Sequence, residues 1–391
     1  MKKRILLAAA SAATAAIVGC ATSPVFSPER HGLLALEDFH VRTGGHCESS
    51  AMLNALDRLG YGLTEADIVG GGGAPSFLFT KDDFPFIGGR NERLREHFLD
   101  AAKIPYRVAL PAKGAGDWEA IATLLGRGLP VLLRVDMRFL PYLYGGKYGS
   151  AYMSFGGHWV CLYGLDFDRR EALVTDTGHE VGQRIALVDL ERARSSATKV
   201  FPPRGEYAWI EARPALWRFD PDALTRKALA TVLENYRGTE VWPGMRKKPL
   251  VGLSGLAEFP ASLASIHSLV NPYSLAPAWS YMAGSIERNG TGGAAFRRLF
   301  RDFLAARAVD CLDARLRSAC AALLPATDRA ISAWRSLAAA FDEAAALLGA
   351  ASGKDRPKAI ASGEEKTGTL AEAVYKAESE LRDEIAAIED I

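Results

Sequence analysis

The pattern of apolar residues changes near Pro214, and this change constrains the fold of the 391-residue chain more than any other feature. Before Pro214, short apolar runs typical of strands alternate with amphipathic segments typical of helices. After it, apolar residues recur at helical spacing in segments 222–236, 259–269, 279–287, 294–308, 327–347 and 370–388. The sequence therefore predicts an α+β domain over residues 30–213, followed by an all-helical domain over residues 214–391.

The N-terminal domain is predicted to contain a predominantly antiparallel sheet. A turn-like Asp-Phe-Asp-Arg-Arg separates two apolar runs, which predicts a β-hairpin over residues 158–176. A helix that begins near Cys47 precedes the sheet. Further strands are predicted at 106–110, 131–135, 184–188 and 207–212, and further helices at 92–102 and 118–125.

Residues 1–20 have the composition of a targeting segment rather than of a folded element. Residues 2–4 are basic, residues 5–18 are apolar and rich in alanine, and the segment ends in Ile-Val-Gly-Cys. This ending resembles a bacterial lipobox, in which Cys20 becomes the lipid-bearing first residue of the mature protein. The alternative is an ordinary signal peptide with an accidental cysteine. Residues 21–29 form a short tether, and because no aspartate follows Cys20 we expect an exported protein, lipid-anchored to the outer membrane and facing the periplasm.

Composition excludes several classes of function. The formal net charge is +1 and no basic run is interleaved with aromatic residues, which argues against nucleic-acid binding. No CxxC or HExxH spacing occurs, so neither a metal nor another cofactor is predicted. Apolar residues make up 49% of the chain, enough for two cores without disulfides. Cys311 and Cys320 would pair only if the chain turns between them, because nine residues of one helix span ~13 Å, beyond the ~7 Å limit between bridged α-carbons.

Cys47 is the first candidate for a reactive residue. It follows the paired glycines of Gly-Gly-His-Cys at 44–47, and Met52, Leu56 and Leu59 behind it have the spacing of an amphipathic helix. Cys47 is therefore predicted in the first turn of that helix, where free N–H groups and the helix dipole stabilise anions. A thiol so placed can have its pKa lowered from ~8.5 to ~3.5–7.5. The alternative is a small, buried structural cysteine.

His158 and Asp176 are the predicted partners of this thiol. His158 begins one strand of the predicted hairpin and Asp176 ends the other, so the two side chains lie side by side in an antiparallel pair. Cysteine, a distant histidine and an acid form the constellation used for thiol-dependent acyl transfer. His179 follows Asp176 closely and is the serious rival to His158 as the base.

Other residues are predicted to surround the site. The backbone N–H of Cys47 is the expected oxyanion donor, while His46 either donates to the oxyanion or only contacts the helix start. The second donor stays unassigned. Residues 137–156 hold tyrosines between glycines and form either a lid over the site or a packed excursion that covers the core. The candidate substrate-binding residues are Asp136, Tyr142, Tyr148 and Trp159.

Two glycine-containing segments of the C-terminal half are predicted to be a turn and a linker. Residues 290–293 read Gly-Thr-Gly-Gly, which is typical either of a tight turn between helices or of a loop whose backbone N–H groups bind an anion. The turn is the favoured interpretation. Such a turn can also line one wall of the cleft that holds the active site of the first domain. Residues 352–368 are charged and contain glycine, which predicts a mobile linker before the last helix.

Three parts of the sequence resemble the butirosin biosynthesis protein H N-terminal family: His-Cys-Glu-Ser at 46–49, the Gly-rich segment at 63–73, and 157–160 together with 174–176. The resemblance extends over residues 30–212 and implies a papain-like fold related to bacteriocin-processing cysteine peptidases. The founding member transfers an aminoacyl group from a carrier-protein thioester to an aminoglycoside amine. Residues 287–304 resemble the helical domain that often follows in this family.

The sequence thus predicts a thiol-dependent enzyme at the cell envelope, either an aminoacyl or acyl transferase or an amide hydrolase of the peptidase type. Cys47 forms an acyl-enzyme, His158 shuttles the proton and Asp176 orients the ring. The expected substrate is an acyl or peptide-like small molecule, and the membrane is contacted through the lipid on Cys20. Carrier-protein thioesters are cytoplasmic, so an exported enzyme needs an exported donor. The alternatives are a non-catalytic ligand-binding lipoprotein that keeps the fold, and a scaffold. Donor, acceptor and oligomeric state stay open.

Overall fold

A computed structural model describes residues 26, 29–81, 85–111, 117–199, 201–239, 247–271 and 273–388. The predicted signal peptide with Cys20, and most of the predicted tether, lie outside the described residues. The strands are β1 Leu33–Ala35, β2 Leu78–Phe79, β3 Ile87–Gly88, β4 Tyr106–Ala109, β5 Val131–Val135, β6 His158–Asp166, β7 Glu171–Thr175, β8 Gln183–Ala186, β9 Tyr207–Ile210 and β10 Leu250–Val251.

The helices of the N-terminal half are α1 Cys47–Arg58, α2 Glu65–Gly71, α3 Leu94–Ala101, α4 Trp118–Gly126 and α5 Leu187–Arg194. Those of the C-terminal half are α6 Pro221–Arg237, α7 Gly252–Leu263, α8 Leu275–Glu287, α9 Arg297–Asp310, α10 Ala314–Ala350 and α11 Arg356–Ala386. The predicted α+β class, with an antiparallel sheet followed by a helical region, is confirmed.

The main sheet has seven strands in the order β4-β9-β5-β6-β7-β8, with β1 also paired to β6. Every neighbouring pair is antiparallel. Alternate residues of β6 enter different cores: Trp159 and Cys161 pack with α1, whereas Val160 and Leu162 pack with α4 and α5 on the other face. Because β6 is central and apolar on both faces, it fixes the position of His158 at its first residue.

The C-terminal helices share a core with the N-terminal half. Met52 and Leu56 of α1 belong to the same buried cluster as Phe300 and Phe303 of α9. The approach of α2 to α9 is so close that a β-carbon on Gly70 would lie 2.3 Å from the side chain of Phe303. A small second sheet also joins the halves, since β10 pairs with β2, which pairs with β3.

The prediction of a mobile linker at residues 352–368 is wrong. The chain forms a 3₁₀ turn at Gly353–Asp355 and then enters α11, which begins at Arg356. Gly363 and Gly368, which suggested flexibility, instead allow close packing: a β-carbon on Gly363 would lie 2.7 Å from the ring of Trp279, and one on Gly368 3.5 Å from Ala264. Tertiary packing here overrides the low helix propensity of glycine.

The remaining cysteines are buried and unpaired. Cys161, Cys311 and Cys320 are free thiols, and burial raises the pKa of each. Cys311 lies in the turn between α9 and α10 and contacts the hydroxyl of Thr225 at 3.5 Å. None of the helices in the described ranges is long and apolar enough to cross a bilayer.

Candidate active site

Cys47 lies where the sequence predicts it, at the first residue of α1. His46 is the N-cap residue, and the side chain of Cys47 is half-buried rather than enclosed in the core. Burial alone would raise the pKa of the thiol, but the neighbouring imidazoles of His46 and His158 lower it well below its usual value. The thiol also forms a hydrogen bond with His158. The geometry favours the thiolate form of this sulfur.

His158 lies between the sulfur and a carboxylate. Its Nε2 is 2.7 Å from Asp176 Oδ1, which leaves Nδ1 for Cys47. Burial opposes the charged form of His158, but Asp176 and the Cys47 thiol raise the pKa of the ring to about 10. The lowered thiol pKa and the raised imidazole pKa both favour a thiolate–imidazolium pair.

Asp176 is held by three donors. Its Oδ1 accepts from the backbone N–H of Thr177 at 2.7 Å as well as from His158, and its Oδ2 accepts from the hydroxyl of Tyr142 at 2.9 Å. Tyr142 is one of the predicted substrate-binding residues, and the structure places its hydroxyl on the acid instead. Burial and the Asp176 charge raise the pKa of Tyr142 well above its usual value, so it is a neutral donor.

Glu65 fixes the chain that leads into Cys47. Its carboxylate accepts from the backbone N–H of Gly45 at 2.7 Å and of His46 at 3.0 Å, and from the hydroxyl of Ser49 at 2.7 Å. A β-carbon on Gly44 would lie 2.7 Å from Glu65 Oε1, which explains why glycine precedes the motif. Sequence reasoning missed this residue; the only signal was its place in the 63–73 segment of the family resemblance.

Replacing Glu65 with glutamine is expected to lower the free energy of unfolding by about 1–3 kcal/mol. The amide of glutamine offers one neutral acceptor oxygen, whereas the carboxylate offers two charged ones. Denaturant unfolding measures this loss. Glu380→Gln is the matched control, since Glu380 pairs with Arg329 on the exposed surface at 3.1 Å, where such pairs contribute about 0–1 kcal/mol. An equal, small effect of both substitutions would contradict the role given to Glu65.

Both ring nitrogens of His46 have protein partners. Nδ1 lies 3.3 Å from the backbone N of Ser49 and 3.2 Å from its hydroxyl, and Arg90 Nε donates to Nε2 at 3.1 Å. The structure therefore favours the helix-start contact over the oxyanion role that the sequence left open. The N–H of Cys47 belongs to the first turn of α1, whose N–H groups have no acceptor within the helix, and an oxyanion donor requires such a group.

A buried charge cluster supports the same helix start. Glu48 lies 3.1 Å from Arg90 Nη2 and 3.6 Å from Arg95 Nη1, and Arg95 also contacts Glu206 at 3.1 Å. The guanidinium of Arg95 lies 4.5 Å from the ring centre of Trp159. Trp159, predicted to bind substrate, is 4% exposed and packs in the core. Its placement gives it a structural role beside His158.

Two other predicted substrate-binding residues bond to groups of the protein. Asp136 is fully buried, and its carboxylate accepts from the backbone N–H groups of Arg138 and Phe155 and from the hydroxyls of Ser154 and Ser196. Asp136 thereby holds the two ends of the 137–156 segment together. These bonds favour a segment packed on the protein over a lid that opens and closes. The hydroxyl of Tyr148 contacts Asp189 and Arg192 on α5, at the exposed surface.

His179 does not replace His158 in this arrangement. Its ring stacks edge-to-face on Tyr142, with 5.5 Å between ring centroids, and its carbonyl accepts from Thr43. Within the described part of the chain, no three histidine, cysteine, aspartate or glutamate side chains are placed to hold a metal ion.

Comparison with known families identifies two domains. Residues 46–177, from His46 to just beyond Asp176, match the family described as butirosin biosynthesis protein H, N-terminal. Residues 188–382 match a domain of unknown function, DUF4872. No curated protein matches the chain. The first match suggests a biosynthetic enzyme related to acyl transfer. The chain is therefore shown to carry a butirosin biosynthesis protein H N-terminal domain followed by a DUF4872 domain.

Proposed function

We propose that the protein is a thiol-dependent acyl-transfer enzyme in which Cys47, His158 and Asp176 form a catalytic triad. The observation that carries the proposal is the unbroken line of contacts from the Cys47 sulfur to His158 and from His158 Nε2 to Asp176 Oδ1 at 2.7 Å. Nucleophile, base and orienting acid are the three parts that acyl transfer through an acyl-enzyme requires.

In the first half of the reaction, the Cys47 thiolate attacks the carbonyl carbon of an acyl donor and a sulfur–carbon bond forms. The carbonyl oxygen becomes an oxyanion next to the N–H of Cys47, and the positive end of α1 stabilises it. The bond to the leaving group then breaks. His158 gives its proton to that group, so that an amine, alcohol or thiol leaves neutral.

In the second half, an amine or water attacks the thioester. His158, now neutral, takes the proton of the attacking group, and the Cys47 thiolate leaves as the new amide or acid forms. Asp176 keeps the ring oriented with Nδ1 towards the sulfur in both halves, and Tyr142 holds Asp176. An acyl or peptide-like small molecule is the proposed donor, with transfer and hydrolysis differing only in the acceptor.

An envelope location is part of the proposal. The basic start, the alanine-rich run and the Ile-Val-Gly-Cys ending of residues 1–20 support lipidation at Cys20. The donor is then a molecule already exported to the periplasm. Expression of the Cys20→Ser chain tests this: the protein is expected to leave the membrane fraction, and unchanged membrane fractionation would contradict the anchor.

A trapped acyl-enzyme tests the chemistry without knowledge of the natural donor. The full chain is incubated with an activated ester such as p-nitrophenyl acetate, and intact mass and peptide mapping locate the acetyl group. We expect one acetyl group on Cys47, removed by water or by an added amine.

Cys47→Ala is expected to remove this labelling, and Cys161→Ala serves as the matched control because Cys161 is fully buried with a raised thiol pKa. Equal acetylation of wild type and Cys47→Ala would show that Cys47 is not the nucleophile. A folded wild type that stays unlabelled would favour a non-catalytic ligand-binding role.

A further inference from the structure

A left-handed turn precedes α9 in the C-terminal half. The backbone φ angles of Gly292, Gly293, Ala294, Ala295 and Phe296 are 64°, 93°, 47°, 48° and 73°. Non-glycine residues avoid this region, and such strain persists only where the surroundings impose it. We call residues 292–296 the left-handed turn.

The left-handed turn lies against the residues that lead into Cys47. A β-carbon on Gly45 would lie 3.0 Å from Gly292 Cα, so the two backbones are in direct contact. The ring of Phe296 packs edge-to-face on His46, with 5.0 Å between ring centroids and an interplanar angle of 76°. A segment 250 residues away in the chain thus covers the N-cap of the nucleophile helix.

Buried hydrogen bonds hold the turn in this conformation. The N–H of Ala294 donates to the Glu287 carboxylate at 3.1 Å, and that of Ala295 donates to the Ile286 carbonyl at 2.8 Å. Arg297, which is fully buried, donates to the carbonyls of Ala295 at 2.7 Å and Ser76 at 2.9 Å. The turn is therefore fixed to both halves of the molecule.

We propose that the left-handed turn of the DUF4872 domain is a positioning element for Cys47, acting through the contact of Phe296 with His46. His46 caps α1, and its orientation sets the direction of the first turn that carries the sulfur. The domain of unknown function is then a working part of the cysteine site rather than a separate module. This inference rests on the proposed function for its effect on chemistry, but not for its structural effect.

The charged groups that face His46 come from three elements. Glu65 of α2 accepts from its backbone N–H, Arg90 from the segment after β3 donates to its ring, and Glu48 of α1 pairs with that same Arg90. Phe296 adds an apolar contact to the His46 ring beside these charged groups. Its removal is expected to let the His46 ring move away from Cys47 without removing any charge.

The test compares Phe296→Ala and the milder Phe296→Leu with wild type in the full chain. The first readout is the rate of Cys47 alkylation by iodoacetamide across pH. We expect Phe296→Ala to slow it several-fold at about pH 6, where the thiolate fraction falls as the thiol pKa rises, and not to slow it at about pH 9.5, where the thiol is ionised in both proteins. The second readout is amide hydrogen exchange of the peptide containing Ser49 and Ser50, which should become faster.

Phe167→Ala is the matched control, because Phe167 is a buried aromatic residue of a different core, whose members include no residue of the left-handed turn or of α1. It should leave both readouts at wild-type values. Unchanged alkylation and unchanged exchange in both Phe296 variants would overturn the inference. If wild-type Cys47 itself proves unreactive at about pH 6, the proposed function fails, and the exchange readout alone then decides the inference.

Discussion

Replacing His158 with alanine is expected to raise the pKa of the Cys47 thiol part of the way towards its ordinary value of ~8.5, because His46 still lowers it, and to reduce the thiolate fraction at about pH 6 roughly tenfold or more. His158 is one of the two imidazoles that lower the thiol pKa and hydrogen-bond to the sulfur, and it is the one that also contacts Asp176. Alkylation is expected to slow by less than the thiolate fraction falls, because a thiolate of higher pKa is the better nucleophile. Acetyl transfer is expected to fall by a further ~10²–10⁴, since proton transfer is lost as well.

The absorbance of the thiolate, followed against pH, measures the first effect directly. His179→Ala is the matched control, because His179 lies beside Tyr142 and not on the sulfur. It should leave the titration of Cys47 unchanged. Two results would contradict the assignment of His158: an unshifted titration in His158→Ala, or an equal shift in His179→Ala.

Removing the carboxylate of Glu378 is expected to give the largest loss of stability in the helical region. Glu378 is fully buried and accepts from Arg297 at 2.8 Å, Trp334 at 2.6 Å and Tyr236 at 2.5 Å. Glu378→Ala leaves the buried Arg297 charge without its counter-ion, which costs about 3–5 kcal/mol. Denaturant unfolding monitored by circular dichroism measures the change.

The surface ion pair of Arg288 with Asp342, at 2.7 Å, provides the control. Asp342→Ala is expected to cost about 1 kcal/mol or less, because the pair is exposed. The double variant Arg297→Met with Glu378→Leu should recover part of the loss, since neither charge is then left alone. If Glu378→Ala unfolds at the same denaturant concentration as Asp342→Ala, the buried pair does not have this role.

The site residues that could be predicted from the sequence are those fixed by local patterns. The helical spacing of Met52 and Leu56 placed Cys47 at a helix start, and two apolar runs around a turn placed His158 beside Asp176. Both arrangements depend on a few neighbouring residues, and the structure has both.

The residues that could not be predicted act over long sequence distances. Phe296 reaches His46, and Ser196 reaches Asp136 to close the 137–156 segment. No periodicity connects such positions, so the sequence does not reveal that Asp136 holds the 137–156 segment or that Tyr142 holds Asp176. The failed linker prediction has the same cause, because Gly363 is chosen for its contact with Trp279 rather than for flexibility.

The buried cluster that contains both Met52 and Phe303 affects how the protein unfolds and whether its two domains can be separated. Because the two halves share this cluster, neither can be exchanged as a module between genes without exposing apolar surface of both. Calorimetry of the intact protein should accordingly record one endotherm rather than two. We therefore expect the DUF4872 domain to fold together with the domain that carries Cys47, as one cooperative unit.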